Sequence, residues 1–98
     1  MTFKDFKDSL RDHLPPERSS ELLKALWYDA KGNWNRAHEV AQEVNTEDGA
    51  WVHAYLHRKE GDASNAAYWY YRAHQKLPAV SLETEWETIV KSLMNGLL

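Results

Sequence analysis

His53, His57 and Glu60 have the residue types and spacing for metal chemistry. On a helix, residues three and four apart share one face, so two imidazoles and a carboxylate project together. Neutral imidazole binds zinc and other borderline divalent ions, and a carboxylate can join it. A catalytic zinc site needs a third protein ligand and a general base as well. The zincin pattern puts a glutamate directly after its first histidine, whereas Ala54 follows His53 here. Spacing fixes no third ligand, so the plainer reading makes His57 a packing residue and sets His53 beside an interhelical groove. No metal or cofactor is then assigned. His13, His38 and His74 lie on other segments. If the helices stack, His38 and His74 can converge on His53 and His57, and such a group would respond to pH near neutrality.

Aromatic residues are the second unusual feature, with five Trp and five Tyr among 98 residues. The run Tyr68-Trp69-Tyr70-Tyr71 covers about 300° of a helix circumference, so its members cannot all face one core. Tyr68 or Tyr71 is therefore expected outside. Tyr and Trp beside Arg are the types that dominate binding hot spots, which makes Trp51, Tyr55, Tyr68, Tyr71 and Arg72 the candidate binding surface together with His53, His57 and Glu60. The same rings can instead fill gaps between alanine-faced helices. Asp29, Glu39, Glu60 and Asp62 read as caps or solvated charges. Gly32 and Gly61 are isolated turn glycines, not a phosphate loop. This set of residues points to a binding protein, not to an enzyme.

Six helices are expected to position these side chains. Phe3, Phe6, Leu10 and Leu14 form one stripe, capped by Thr2 with Asp5 as its capping-box partner and stopped by Pro15-Pro16. Ser19 or Ser20 caps a second helix bearing Leu22, Leu23, Leu26, Trp27 and Ala30, which ends at Lys31-Gly32. Asn33 caps a third with Trp34, Ala37, Val40, Ala41 and Val44 on one side. Asn45 to Gly49 reads as a polar connector before a fourth helix, Ala50 to Glu60, whose stripe is Trp51, Ala54 and Tyr55, with Arg58 as a further candidate. After Gly61-Asp62 a fifth helix runs to about Lys76, with Ala66, Trp69, Tyr70, Ala73 and Leu77 inward. Ser81 caps the sixth, with Leu82, Trp86, Ile89, Val90, Leu93, Met94 and Leu97 in the cleanest stripe of the chain.

The sequence repeats itself. A shift of 29 residues aligns Ala25 with Ala54, Gly32 with Gly61, Asn33 with Asp62, Ala37 with Ala66 and Val44 with Ala73. Small residues let antiparallel helices approach closely, and a glycine takes the left-handed turn between them. In these positions the chain resembles the tetratricopeptide repeat and its Sel-like relatives. The second unit reads Ala54, His57, Gly61-Asp62, Ala66, Tyr70, Ala73 and Pro78, and departs from that pattern at the histidine. The first reads Ala25, Tyr28, Gly32-Asn33, Ala37, Ala41 and Val44. The aromatic stretch Ala67 to Ala73 is similar to the second helix of Sel-like repeats. The resemblance implies an all-α, right-handed array of antiparallel helical hairpins, with residues 20–78 forming two repeats and residues 1–14 and 81–98 capping a single domain of residues 1–98. It also implies a scaffold that binds a protein or peptide segment.

Composition narrows the partners. The chain is 43% hydrophobic and 28% charged, with formal charge −3 and no block of like charge; nucleic-acid binding needs clustered Lys and Arg. No segment approaches the roughly 20 apolar residues of a membrane span. Without cysteine there is neither disulfide nor thiolate chemistry, and the charged N-terminal residues do not read as a signal peptide. A cytoplasmic protein is expected. The apolar sixth helix, ending Leu93-Met94-Asn95-Gly96-Leu97-Leu98, could pair across a homodimer axis. The alternative to a protein-binding module is a metal- or small-molecule-binding protein, in one version a hydrolase, built on His53, His57 and Glu60.

Overall fold

The computed structural model describes residues 1–95, and the expectation for Leu97 and the end of the sixth helix falls outside them. Among the described residues every regular element is helical: α1 (Phe3–Asp8), α2 (Glu21–Ala30), α3 (Trp34–Gln42), α4 (Glu47–Glu60), α5 (Ala63–Arg72) and α6 (Leu82–Asn95), with a short 3₁₀ turn over Ser9–Arg11 after α1.

Two hairpins, α2–α3 and α4–α5, form the middle of the molecule. The small residues expected at their interfaces, Ala25, Ala37, Ala54, Ala66 and Ala73, are all buried. Gly32 and Gly61 take left-handed backbone at φ +86° and +89°. At each turn an N–H beyond the glycine reaches back to a carbonyl five residues earlier, Asn33 to Tyr28 and Asp62 to His57, the pattern of a Schellman cap. Asn33 and Asp62 then accept from the backbone of α3 and α5 as N-caps. Each turn thus ends one helix and starts the next within two or three residues.

Helix α4 is the hub, packing against α2, α3, α5 and α6. Val52, His53, Ala54, Tyr55, Leu56 and His57 are consecutive buried residues on it, so its buried surface runs all the way round. Trp27, Leu23, Leu26, Val52, Leu56, Ile89, Val90 and Phe6 make the centre of the core. Truncating one such leucine to alanine costs about 2–5 kcal/mol. Trp86 of α6 stacks on Phe6, and its indole N–H donates to the Leu26 carbonyl at 3.0 Å. Trp86, Ile89 and Val90 of the sixth-helix stripe are buried within the chain.

Three helix ends differ from the pattern reading. α1 stops at Asp8, and Leu14 is exposed instead of continuing its stripe. The carbonyls of this end are taken by α2: the Trp27 indole donates to the Ser9 carbonyl, and the Lys31 ammonium to those of Leu10 and Asp12. A further helical turn is not needed to satisfy them. α4 begins at Glu47 because the Thr46 hydroxyl accepts from the Gly49 N–H at 3.0 Å; the acidic residues of the supposed connector are its first turn, where the helix dipole favours them. α5 ends at Arg72, and Leu77 is exposed. There His74 adopts φ +58° and the Gln75 N–H returns to the Tyr70 carbonyl, a third Schellman-type stop without glycine.

Candidate functional site

The α3–α4 contact places His38 of the first hairpin against His53 and His57 of the second. Nε2 of His38 and Nε2 of His53 are 3.0 Å apart, and one nitrogen from each of the three rings lies within 4.8 Å of the others. His53 and His57 are 8% and 7% exposed, and His38 is half-buried. The i, i+4 spacing on α4 stacks His53 over His57 at 4.8 Å between ring centres. His38, anticipated only if the hairpins stacked, supplies the third imidazole. His74 does not join; it is exposed and pairs with Glu47.

Neighbours fix each ring. Trp69 of α5 stacks on His53 at 4.1 Å, and Trp34 of α3 stacks on His38 at 5.0 Å. Trp34 is itself anchored by its indole N–H, which donates to the Leu56 carbonyl at 2.8 Å. Glu60 is an exposed carboxylate, as the sequence suggested, and it also lies 2.6 Å from His57 Nδ1. With Nδ1 engaged by Glu60, Nε2 is the remaining nitrogen of His57, and the side-chain amide nitrogen of Asn65 lies 3.4 Å from it. Trp34, Asn65 and Trp69 were not among the sequence candidates, because their roles depend on how two hairpins face each other.

Burial is the main cause that pushes the His53 imidazole down to about 4, with the neighbouring His38 and His57 adding to it. Burial, then the charge of His57, also lowers His38, with Glu60 acting in the opposite direction. Neutral rings carry the lone pairs that a metal requires. Tetrahedral ligands 2.0–2.1 Å from zinc stand roughly 3.3 Å from one another. The 3.0 Å His38–His53 pair is already at that spacing, and no nitrogen need move in by more than about 1.5 Å. Glu60 on His57 Nδ1 is the carboxylate–histidine arrangement that orients metal ligands. A second trio, His57, Glu60 and Asp62, also comes within 4.8 Å, but Asp62 caps α5 and Glu60 is committed to His57.

The other candidates separate. Tyr68 and Tyr71 are exposed, at 51% and 80%, as the four-residue aromatic run required. Arg72 stacks over Tyr68 and Trp69 on that outer side. Trp51 is half-buried. Tyr55 does not belong to this surface: it is buried at 2% exposure because α4 is enclosed on all sides. It lines a cavity of about 310 Å³ beside Phe3, Leu82, Trp86, Asp29 and Lys59. Asp29, expected to be solvated, is buried there and accepts from the Lys59 ammonium at 2.9 Å. Buried Glu85 accepts from Arg58 at 2.7 Å and from the Tyr70 hydroxyl at 2.6 Å. Burial, with Asp29 next, raises the Tyr55 phenol; burial, with the Glu85 hydrogen bond next, raises that of Tyr70. Both phenols stay neutral, and that of Tyr70 donates to Glu85. No helix of the described residues is long and apolar enough to cross a membrane. Compared with protein-family profiles, curated proteins and solved structures, the chain finds no match in any of the three.

Proposed function

We propose that this chain is a helical-hairpin binding protein that takes up one divalent transition-metal ion, zinc or a similar borderline ion, through His38, His53 and His57. The convergence of three imidazoles from two hairpins carries this reading. Three nitrogen donors without thiolate suit zinc, cobalt, nickel or copper better than calcium or magnesium, which prefer oxygen. We read the role as binding and not catalysis, since Glu60 is held by His57 and is not free to act as a base. A cytoplasmic setting fits a chain without cysteine. Protein purified without a metal-affinity column, then exposed to zinc and dialysed, should retain one ion per chain by elemental analysis. At a free ion concentration 100-fold above Kd the ion adds about 2.7 kcal/mol, raising Tm by roughly 10 °C or more. Substoichiometric metal and an unmoved Tm overturn the reading.

A second reading, a protein- or peptide-binding scaffold of tetratricopeptide type, is favoured by one observation: Tyr68, Tyr71 and Arg72 present aromatic and cationic groups on the open side of α5. Replacing both tyrosines by serine should abolish partner capture while leaving the fold intact. Equal capture by the wild type and the double variant removes this reading.

A further inference from the structure

The metal reading leaves the fourth position of a tetrahedral ion undefined. Resting on that reading, we infer that this position is kept for a small exogenous carboxylate, hydrogen-bonded by the side-chain amide of Asn65.

Charge gives the first reason. Three neutral imidazoles contribute no negative charge, so a divalent ion brings its full +2 into a site where His53 and His57 are more than nine-tenths buried. A buried charge of that size calls for an anion beside it. Glu60, the carboxylate at the cluster, is hydrogen-bonded to Nδ1 of His57, on the far edge of that ring from its ligating nitrogen. It orients the ligand and leaves the coordination position open.

Geometry gives the second. The Asn65 amide nitrogen is 3.4 Å from Nε2 of His57, and adjacent ligands of a tetrahedral zinc are roughly 3.3 Å apart. The amide therefore stands about one ligand spacing from His57. When the His57 ring is neutral with its proton on Nδ1 toward Glu60, Nε2 is the acceptor and the amide donates to its lone pair. Once that lone pair is on the metal, the N–H needs another acceptor, and an anionic oxygen in the fourth position provides it. A carboxylate has lone pairs for both the ion and the amide. The exchange is simple: metal-bound water leaves, one carboxylate oxygen takes its place, and nothing is oxidised or reduced.

A groove of about 250 Å³ reaches the cluster at His53. It runs between residues 41–50 and α5, with His53, Trp69 and Arg72 among its walls. Arg72, whose guanidinium sits over the Trp69 ring at 5.5 Å, lines this groove together with the Glu47 carboxylate, so its wall carries charge of both signs. The volume admits a carboxylic acid of a few carbons.

The test uses the full chain loaded with cobalt(II), whose visible absorption reports changes in coordination, and acetate as the probe. Saturable change in the cobalt bands on adding acetate supports the inference. Asn65→Ala should weaken acetate at least roughly ten-fold, the loss expected for a hydrogen bond to a charged group. Asn65→Asp, which puts a carboxylate of the chain's own at the position, should abolish the acetate response while still binding cobalt. Stoichiometric cobalt with bands that acetate does not move overturns the inference and leaves the metal reading standing; the fourth position is then closed, for instance by the Asn65 oxygen. Unchanged acetate affinity in Asn65→Ala overturns the role of Asn65. Failure to bind cobalt at all overturns both readings.

Discussion

At the residue scale, the three imidazoles differ in what surrounds them, and so do the expected effects of changing them. His38 is the least enclosed and contributes no core volume comparable to that of its partners, so His38→Gln should cut metal affinity with little effect on folding. Glu60→Gln keeps the shape but removes the charge that orients His57. Loss of such an outer partner usually lowers affinity 10- to 100-fold, measurable by competition with a chromophoric chelator. The metal-free protein has its own pH signature. The His53 ring sits at about 4 in the fold, depressed by burial and by His38 and His57, against about 6.5 in the unfolded chain. The unfolded state therefore binds the proton first, and the stability present above pH 6.5 is lost as pH falls toward 4. Thermal melts of apo protein between pH 7 and 4 should show this loss, and His53→Gln should reduce its slope across that window. A flat profile in the wild type would contradict the buried, neutral state of the ring.

At the scale of elements, the turns can be ranked by what a methyl group would meet. Gly61 has open space around it, so Gly61→Ala costs only the left-handed backbone, about 1–2 kcal/mol. Gly49 is tighter: an added Cβ would lie 2.0 Å from the Val44 carbonyl oxygen. Gly49→Ala should cost more than Gly61→Ala in urea unfolding, although Gly49 sits in ordinary helical backbone. The hairpins themselves were legible in the sequence, because alanines and glycines at a fixed shift state how two helices touch. The helix ends were less so. Leu14 and Leu77 continued the apolar spacing, yet backbone groups captured elsewhere, by Trp27 and Lys31 or by the left-handed His74, stopped the helices first. Gly49 with two acidic neighbours looked like a loop, but its closeness to Val44 marks it as a packing glycine. Two-thirds of the site could be read from i, i+4 spacing. The third imidazole, and the Trp34, Asn65 and Trp69 side chains around it, could not be read that way, since no spacing along one helix encodes which residues a neighbouring helix presents.

At the scale of the whole molecule, buried charges tie the hairpins to the last helix. Glu85 joins α6 to Arg58 on α4 and Tyr70 on α5, and its removal leaves those donors without their acceptor. Glu85→Ala should destabilise the fold by about 3 kcal/mol, whereas breaking the exposed Lys4–Asp8 pair should be close to silent. Comparison of the two in denaturant separates an interior link from surface decoration. The enclosure of α4 by four other helices also has a kinetic corollary. A rod gripped on every side has no private route to solvent: its amide protons around residues 52–57 should exchange with deuterium only when the entire chain comes apart. Those amides would then report the global free energy of unfolding, while the protons of α1 and of the His74 turn are released far sooner through local fraying.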